Sequence, residues 1–305
     1  MPAKIIDGIA LAERIKQDVA VRVRALPKPV HLVAILVGAT PAGALYAQRQ
    51  GDACRALGIG YDLLTLPDDV AQKDVKREIR RLNDDPNVTG IMMHLPLPAH
   101  LDAPRLQYEI DVVKDVEGVN PANIGYVVYG HTVIAPCTAL SVIELIKSTG
   151  VEIKGAEATV VGASQIVGKP VSLLLTEQMA TVSLCHIETK DLKAHTRRAD
   201  LLVVAVGKAG LIGAEDVRDG AVVVDVGINR IVQPDGTKKT VGDVDFEAVQ
   251  EKAAHITPVP GGVGPMTVAM LLKNTLRSAE ILFRLKKVGF RSHGRQSMGP
   301  PSPRA

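Results

Sequence analysis

Apolar positions recur along this chain in two alternating rhythms. Near the start, Ile9, Leu11, Ile15, Val19 and Val23 fall on one stripe of a helix that Asp7 can cap. Residues 30–37 form a short aliphatic run, which predicts a buried strand. A turn at 38–41 leads into a helix running to about residue 57, with Gly58 as its stop. A strand at 61–66, a charged helix at 70–84, a turn at 83–87 and a strand at 89–95 follow. Strand–helix alternation of this kind predicts an α/β fold with a mainly parallel sheet.

The rhythm resumes after a break. Thr138 is placed to cap a helix through Ser148, which Gly150 stops. Strands are predicted at 159–162, 181–185, 201–206 and 221–226, with helices between them. The last long helix is predicted over 265–287, Pro being acceptable in a first turn. The boundary between the two alternating sets falls near 130–136. Domains are therefore expected at 1–135 and 136–269, the final helix from about 270 crossing back to complete the first. Residues 288–305, rich in Gly, Ser, Pro and Arg, are expected to be a disordered basic tail.

Composition narrows the function classes. Of 305 residues, 46% are hydrophobic and only 3% aromatic, with no Trp, so the core must be aliphatic. The net charge of +3 resides entirely in the tail, where Arg291, Arg295 and Arg304 meet no acid. A formally neutral body poor in aromatics lacks the basic stripe and stacking platform of a nucleic-acid binder. Cys54, Cys137 and Cys185 are sparse and unpaired in spacing, which suits a reducing compartment and buried thiols. Asp7 and Glu13 interrupt what would be a signal-peptide core, and no run is apolar enough to span a bilayer. A soluble cytoplasmic protein is expected. The eight histidines show no ligand spacing, so no metal site is expected.

Chemistry is most visible at Val160-Val161-Gly162-Ala163-Ser164-Gln165-Ile166-Val167-Gly168-Lys169-Pro170, between an aliphatic strand and a helix. Glycines there let the chain turn tightly and aim helix N-terminal amides at a pyrophosphate. The pattern is not GxGxxG, because Ser164 stands at the second glycine and Gly168 falls one residue late. A tight turn that only packs helix on sheet explains it equally well. Two later strands also end in glycine, at Val206-Gly207 and at Gly227-Ile228, as a dinucleotide crevice requires. At the end of the second strand, Ile187 and Glu188 suit a ribose diol and hence NAD, while nearby Lys190 suits the 2′-phosphate of NADP. A solvated Glu/Lys pair is the plainer reading.

The stretch Thr257-Pro258-Val259-Pro260-Gly261-Gly262-Val263-Gly264-Pro265-Met266-Thr267 fixes a stiff, narrow backbone path before the final helix. With Val37-Gly38-Ala39-Thr40-Pro41-Ala42 and Tyr46, Leu95-Pro96-Leu97-Pro98, and Lys114-Asp115-Val116-Glu117-Gly118-Val119-Asn120, it resembles the methylenetetrahydrofolate dehydrogenase/cyclohydrolase family. The likeness runs from about residue 3 to 285. It implies an N-terminal α/β folate-binding domain, a C-terminal Rossmann-like dinucleotide-binding domain, a cleft between them and a homodimer. It further implies a tetrahydrofolate derivative as substrate and NADP as cofactor. Tyr46, Leu95, Pro96, Glu117, Pro260, Gly261 and Gly262 would border the folate. Gly162, Ala163, Ser164, Ile166, Val167, Ile187, Val206, Gly207, Gly227 and Ile228 would border the cofactor. A Tyr46 that merely packs in the core is the alternative from composition alone.

The departures from the family pattern cluster on the folate side. The family has a catalytic lysine four residues after the tyrosine, on the same helix face; here Gln50 stands there. His94 replaces a glutamine, Glu117 an aspartate, and Gly43 a serine. Gln cannot titrate, so oxidation of methylenetetrahydrofolate is expected to survive while hydrolysis of the methenyl product is weak or lost. Alternatively, His94, oriented by Gln50, carries the proton and both activities persist. A folate-binding protein without catalysis is the reading outside enzymes. On the enzyme readings the catalytic candidates are Tyr46, Gln50, His94 and Glu117.

Overall fold

The computed structural model describes residues 2–38, 41–233 and 236–287, the side chains of Pro41, Ala42, Tyr46 and 285–287 excepted. The basic tail and the middle of the 38–41 turn lie outside the described residues. The first unit comprises β1 (Lys4–Ile5), α1 (Gly8–Arg24), β2 (His31–Val37), α2 (Pro41–Ala56), β3 (Gly60–Leu66), α3 (Gln72–Asp84) and β4 (Gly90–Met93). Two short helices, α4 (Ala103–Gln107) and α5 (Pro121–Val128), precede α6 (Cys137–Ser148). Then come β5 (Glu157–Val161), α7 (Gly168–Glu177), β6 (Thr181–Cys185), α8 (Leu192–Thr196), β7 (Leu201–Val204) and β8 (Val222–Asp225). A hairpin of β9 (Asn229–Val232) and β10 (Lys238–Val241), then α9 (Phe246–Val249), β11 (His255–Ile256) and α10 (Val263–Lys287), complete the chain.

The architecture is α/β with two parallel sheets. One has three strands in the order β3-β2-β4; the other has six in the order β1-β11-β8-β7-β5-β6. Strands β4, β7 and β8 are buried along their whole length, so helices must cover both faces of each. In the larger sheet the chain runs outward from β5 to β6, then returns to β7 and β8 on the other side. A crevice opens at the carboxyl ends of the strands where this direction reverses.

Several details differ from the sequence expectation. Strand β1, at the extreme N-terminus, pairs with β11 and so joins the larger sheet. The antiparallel hairpin β9–β10 has no apolar alternation that marks it in advance. Ile9 is 60% exposed and stands outside the α1 stripe, which buries the expected Val19 and Val23 together with Ala12 and Ala20. The cause is at Gly8, where a Cβ would overlap the carbonyl of Gly262; this contact brings Ile9 beside the Pro-Gly segment rather than into the core. Thr138 does not cap α6. The helix starts two residues earlier, with Pro136 at the cap position, and the Cys137 amide donates to the Glu117 carbonyl at 3.4 Å. Asp7 does cap α1, its carboxylate accepting from the Ala10 amide at 2.9 Å.

Helix α10 spans 25 residues, about 37 Å, and packs along α1 and α6. Its buried polar residues act on backbone elsewhere. Asn274 Nδ2 donates to the Val116 carbonyl at 2.9 Å and the Ala135 carbonyl at 3.0 Å. Ser278 Oγ donates to the Thr89 carbonyl next to β4. Replacing Asn274→Ala strands the buried Ala135 carbonyl and leaves that of Val116 with the weaker Cys137 thiol donor. We expect a loss of about 2 kcal/mol, read as a lower denaturant midpoint at unchanged slope.

Candidate active site

The folate-side residues gather at the carboxyl end of the three-stranded sheet. A cavity of about 640 Å³ is lined by His94, Leu95, Pro96 and Glu117, with Met92, Met93 and Asp68 beside them. Strand β4 delivers His94, whose amide donates to the Ile35 carbonyl at 2.9 Å. The Lys-Asp-Val-Glu run delivers Glu117 by pointing its charged members in different directions. Lys114 Nζ donates to the carbonyls of Leu82, Asn83 and Asp85 at the end of α3, at 2.9, 2.6 and 2.7 Å. Asp115 is fully buried and accepts from the Gly118 amide at 3.1 Å, the Asn120 amide at 2.7 Å and Asn123 Nδ2 at 2.9 Å. With both neighbours anchored, Glu117 faces the cavity and accepts from the Met93 amide at 3.1 Å.

Burial sets the protonation of these groups. It pushes the Glu117 carboxyl up to about 7; the Asp115 charge adds to the rise and the Met93 amide opposes it. Burial also lowers His94 below the ordinary imidazole value, which keeps the ring neutral at neutral pH. Glu117 is thus the group lining this cavity whose charge changes near neutrality. The thiols of Cys54 and Cys137 are buried and raised, the first to about 12, so both are inert at neutral pH.

Gln50 does not line this cavity. It is buried on α2, and its Oε1 accepts from the Tyr61 hydroxyl at 3.4 Å. Tyr46 lies one helical turn earlier, with its side chain outside the described atoms. Pro260, Gly261 and Gly262 line a separate cavity of about 170 Å³ together with Gly227 and Ile228. The Pro-Gly segment therefore meets the end of β8, not His94 and Glu117, because Gly262 is drawn against Gly8.

The cofactor-side residues follow the carboxyl ends of β5, β6, β7 and β8 in the larger sheet. Gly162 ends β5 with φ +109°, its amide donating to the Cys185 carbonyl at 2.9 Å, and a Cβ there would overlap the Ala205 carbonyl. Only glycine permits that path. Ser164 Oγ accepts from the amides of Val167 and Gly168 at 3.2 and 3.4 Å, so the hydroxyl itself caps the start of α7. Ala163 is half-buried beside it, and Val167 packs inward while Ile166 is half exposed. Ile187, Val206 and Ile228 are exposed at 94%, 44% and 68%, apolar surface available to a flat ligand. This cradle fits a dinucleotide: a glycine turn with no room for a side chain, a helix start, and apolar edges.

The amides of Val206, Gly207 and Gly227 are already taken. Asp243 Oδ2 accepts from Val206 and Gly207 at 2.7 and 2.9 Å, and Asp225 Oδ1 accepts from Gly227 at 2.9 Å. Sequence reading missed both aspartates as site residues. The available signal was a glycine within two residues of each, in Asp225-Val226-Gly227 and Gly242-Asp243.

Two outcomes follow. Gly162→Ala should abolish cofactor binding in a calorimetric titration, since the turn must move to admit the methyl group. For Glu117, an acid raised from 4.5 to about 7 on folding, stability is present below pH 4.5 and lost as pH rises through 7. The Glu117→Gln variant should therefore gain stability relative to the parent between pH 5 and pH 8, by about 1–3 kcal/mol. A constant difference across that range would remove the raised carboxyl.

Two sequence families match this chain. The tetrahydrofolate dehydrogenase/cyclohydrolase catalytic domain matches residues 6–117, and the tetrahydrofolate dehydrogenase/cyclohydrolase NAD(P)-binding domain matches residues 136–283. The bifunctional protein FolD of Nitratiruptor sp. is 46% identical over 281 residues, which covers 91% of this chain and 98% of that protein. A bifunctional FolD from Campylobacter jejuni is similar in structure at TM-score 0.87 and 43% identity, covering 92% of this chain and 99% of that one. The Trypanosoma brucei methylenetetrahydrofolate dehydrogenase-cyclohydrolase, solved with NADP and an inhibitor, gives TM-score 0.87 at 36% identity, covering 93% and 99%. With both domains matched in order over nearly all of its length, the chain belongs to the tetrahydrofolate dehydrogenase/cyclohydrolase family.

Proposed function

We propose that this protein oxidises methylenetetrahydrofolate to methenyltetrahydrofolate with a nicotinamide dinucleotide, in the cytoplasm and as a homodimer. The observation that carries the reading is the pairing of two built features in one family member: the Glu117 cavity and the Gly162 cradle. When bound, the dinucleotide supplies the hydride acceptor. The protein's part is to hold two flat rings in register and keep water away. Leu95 and Pro96 supply apolar wall, and Glu117 supplies a carboxyl able to hold the donors of a pterin. The Gly162 turn, Ser164 and the start of α7 receive the dinucleotide phosphates; Ile166, Val206 and Ile228 offer apolar edges. The Pro260–Gly262 cavity beside Gly227 is where the ring-bearing end of the dinucleotide would reach the folate side.

Hydrolysis of the methenyl product makes a separate demand, because water must lose a proton on the enzyme. Gln50 cannot take it, and its Oε1 is occupied by Tyr61. The reading is therefore a dehydrogenase with weak cyclohydrolase activity. A second reading keeps both activities, favoured by the Glu117 carboxyl titrating near 7 on the cavity wall and by neutral His94 next to it. A third, a folate binder without catalysis, gives no reason for the Gly162 cradle.

Purified protein given methylenetetrahydrofolate should reduce NADP or NAD, while loss of methenyltetrahydrofolate absorbance stays near the buffer rate. Gln50→Lys should raise that hydrolysis about a hundredfold, the low end of what a positioned proton carrier contributes. Fast hydrolysis in the parent, abolished by Glu117→Gln or His94→Asn, would establish the second reading instead. Folate binding with no reduction of either cofactor would leave the third.

A further inference from the structure

The crevice of the larger sheet is electrically lopsided. On the β5 side stand a glycine turn and the start of α7, which suit an anion. On the β7–β8 side the strand-end amides that would add positive potential are occupied by two buried carboxylates. Asp243, fully buried, takes Val206 and Gly207 with Oδ2 and Asn229 Nδ2 with Oδ1, the last at 2.9 Å. Asp225, 3% exposed, takes the amides of Gly227 and Asp243 with Oδ1 and of Val244 with Oδ2, at 2.9, 3.0 and 2.9 Å. Among the described residues neither carboxylate is in an ion pair. Lys239 lines a neighbouring cavity with Asp225 but makes no salt bridge to it. The two acids are packed against each other through glycine: a Cβ on Gly227 would overlap Asp243, and one on Gly242 would overlap Asp225.

The chemistry of the dinucleotide has the same polarity. In a crevice of this topology the ribose that meets the end of the second strand, here β6, belongs to adenosine, so the nicotinamide half lies toward β7 and β8. On that side Asp225 lines one cavity with Gly227, Ile228 and the Pro-Gly segment, where that half would lie. The nicotinamide ring is cationic when oxidised and neutral when reduced; the pyrophosphate is anionic in both.

Resting on the dinucleotide reading above, we propose that Asp243 and Asp225 are positioning and selectivity residues that make this crevice prefer the oxidised cofactor. Asp243 fixes the Val206–Gly207 loop along the ring site, and the paired negative charge favours the cationic ring. The preference suits an enzyme that must take up oxidised cofactor and release reduced cofactor.

The test is binding in the absence of folate. Calorimetric Kd values are measured on the full chain for the oxidised cofactor, the reduced cofactor and the same dinucleotide lacking the nicotinamide ring. The oxidised form should bind tighter than the reduced form and tighter than the ring-less one. In Asp243→Asn the amide oxygen can still receive Val206 and Gly207, and a flipped Asn229 can accept from the new amino group, so the shape is kept and a charge is lost. The reduced-to-oxidised Kd ratio should fall by roughly three- to tenfold in that variant. A merely structural role would lower the unfolding temperature and leave the ratio unmoved, and that result would overturn the proposal. So would a parent protein that binds the reduced form as tightly as the oxidised, a measurement that decides even where the variant does not fold. Failure of all three ligands to bind would instead bring down the dinucleotide reading itself, and this inference with it.

Discussion

A carboxylate buried away from water is costly unless several N–H groups are aimed at it, and this molecule uses that requirement to hold its site together. Asp115 gathers the amides of Gly118 and Asn120 and the side chain of Asn123; Asp225 gathers three amides; Asp243 gathers two amides and an asparagine side chain. The Asp225 and Asp243 clusters lie at the carboxyl ends of β7 and β8, where the chain leaves a strand and would otherwise have unsatisfied amides. The loops that present Glu117, Val206, Gly207 and Gly227 are therefore shaped by acids that need not touch a ligand. Misplacing one acid would cost the loop and the charge balance together.

Glycine contributes the complementary constraint. The Pro-Gly segment can lie against α1 only because Gly8 and Gly262 meet backbone to backbone, and the Asp225–Asp243 pair can form only because Gly227 and Gly242 leave space. These contacts connect the N-terminal residues, the end of β8 and the start of α10. From α10, Asn274 reaches the Val116 carbonyl, one residue from Glu117. Packing thus joins the two halves of the site through one helix, although the folate cavity and the Pro-Gly cavity are separate spaces.

The electrostatics of the two halves are set by burial more than by charge count. Glu117 titrates near 7 mainly because it is buried, with Asp115 adding to the effect. Asp225 is raised to about 6 for the same reason, despite three amides that favour its charged form. A neutral chain body with few aromatics can still build sharply different local potentials in this way. Gln50, buried on α2 against Tyr61, adds no titrating group to this balance.

Much of this was legible in the sequence. Periodicity located the principal strands and helices, because short, β-branched aliphatic runs such as Leu201–Val204 suit strands covered on both faces. Motifs carried the family and named His94, Leu95, Pro96 and Glu117, which the fold brings to one cavity. Glycine spacing marked the Gly162 turn, since its backbone path excludes a side chain. Tertiary structure alone decided the rest. It paired β1 with β11, turned Ile9 out of the core, started α6 from a Glu117 carbonyl instead of Thr138, and gave the strand-end amides to Asp225 and Asp243. The reason is range: local patterns fix what a segment becomes, whereas these contacts join residues far apart in the chain, and nothing within a segment records which distant carboxylate or carbonyl will meet it.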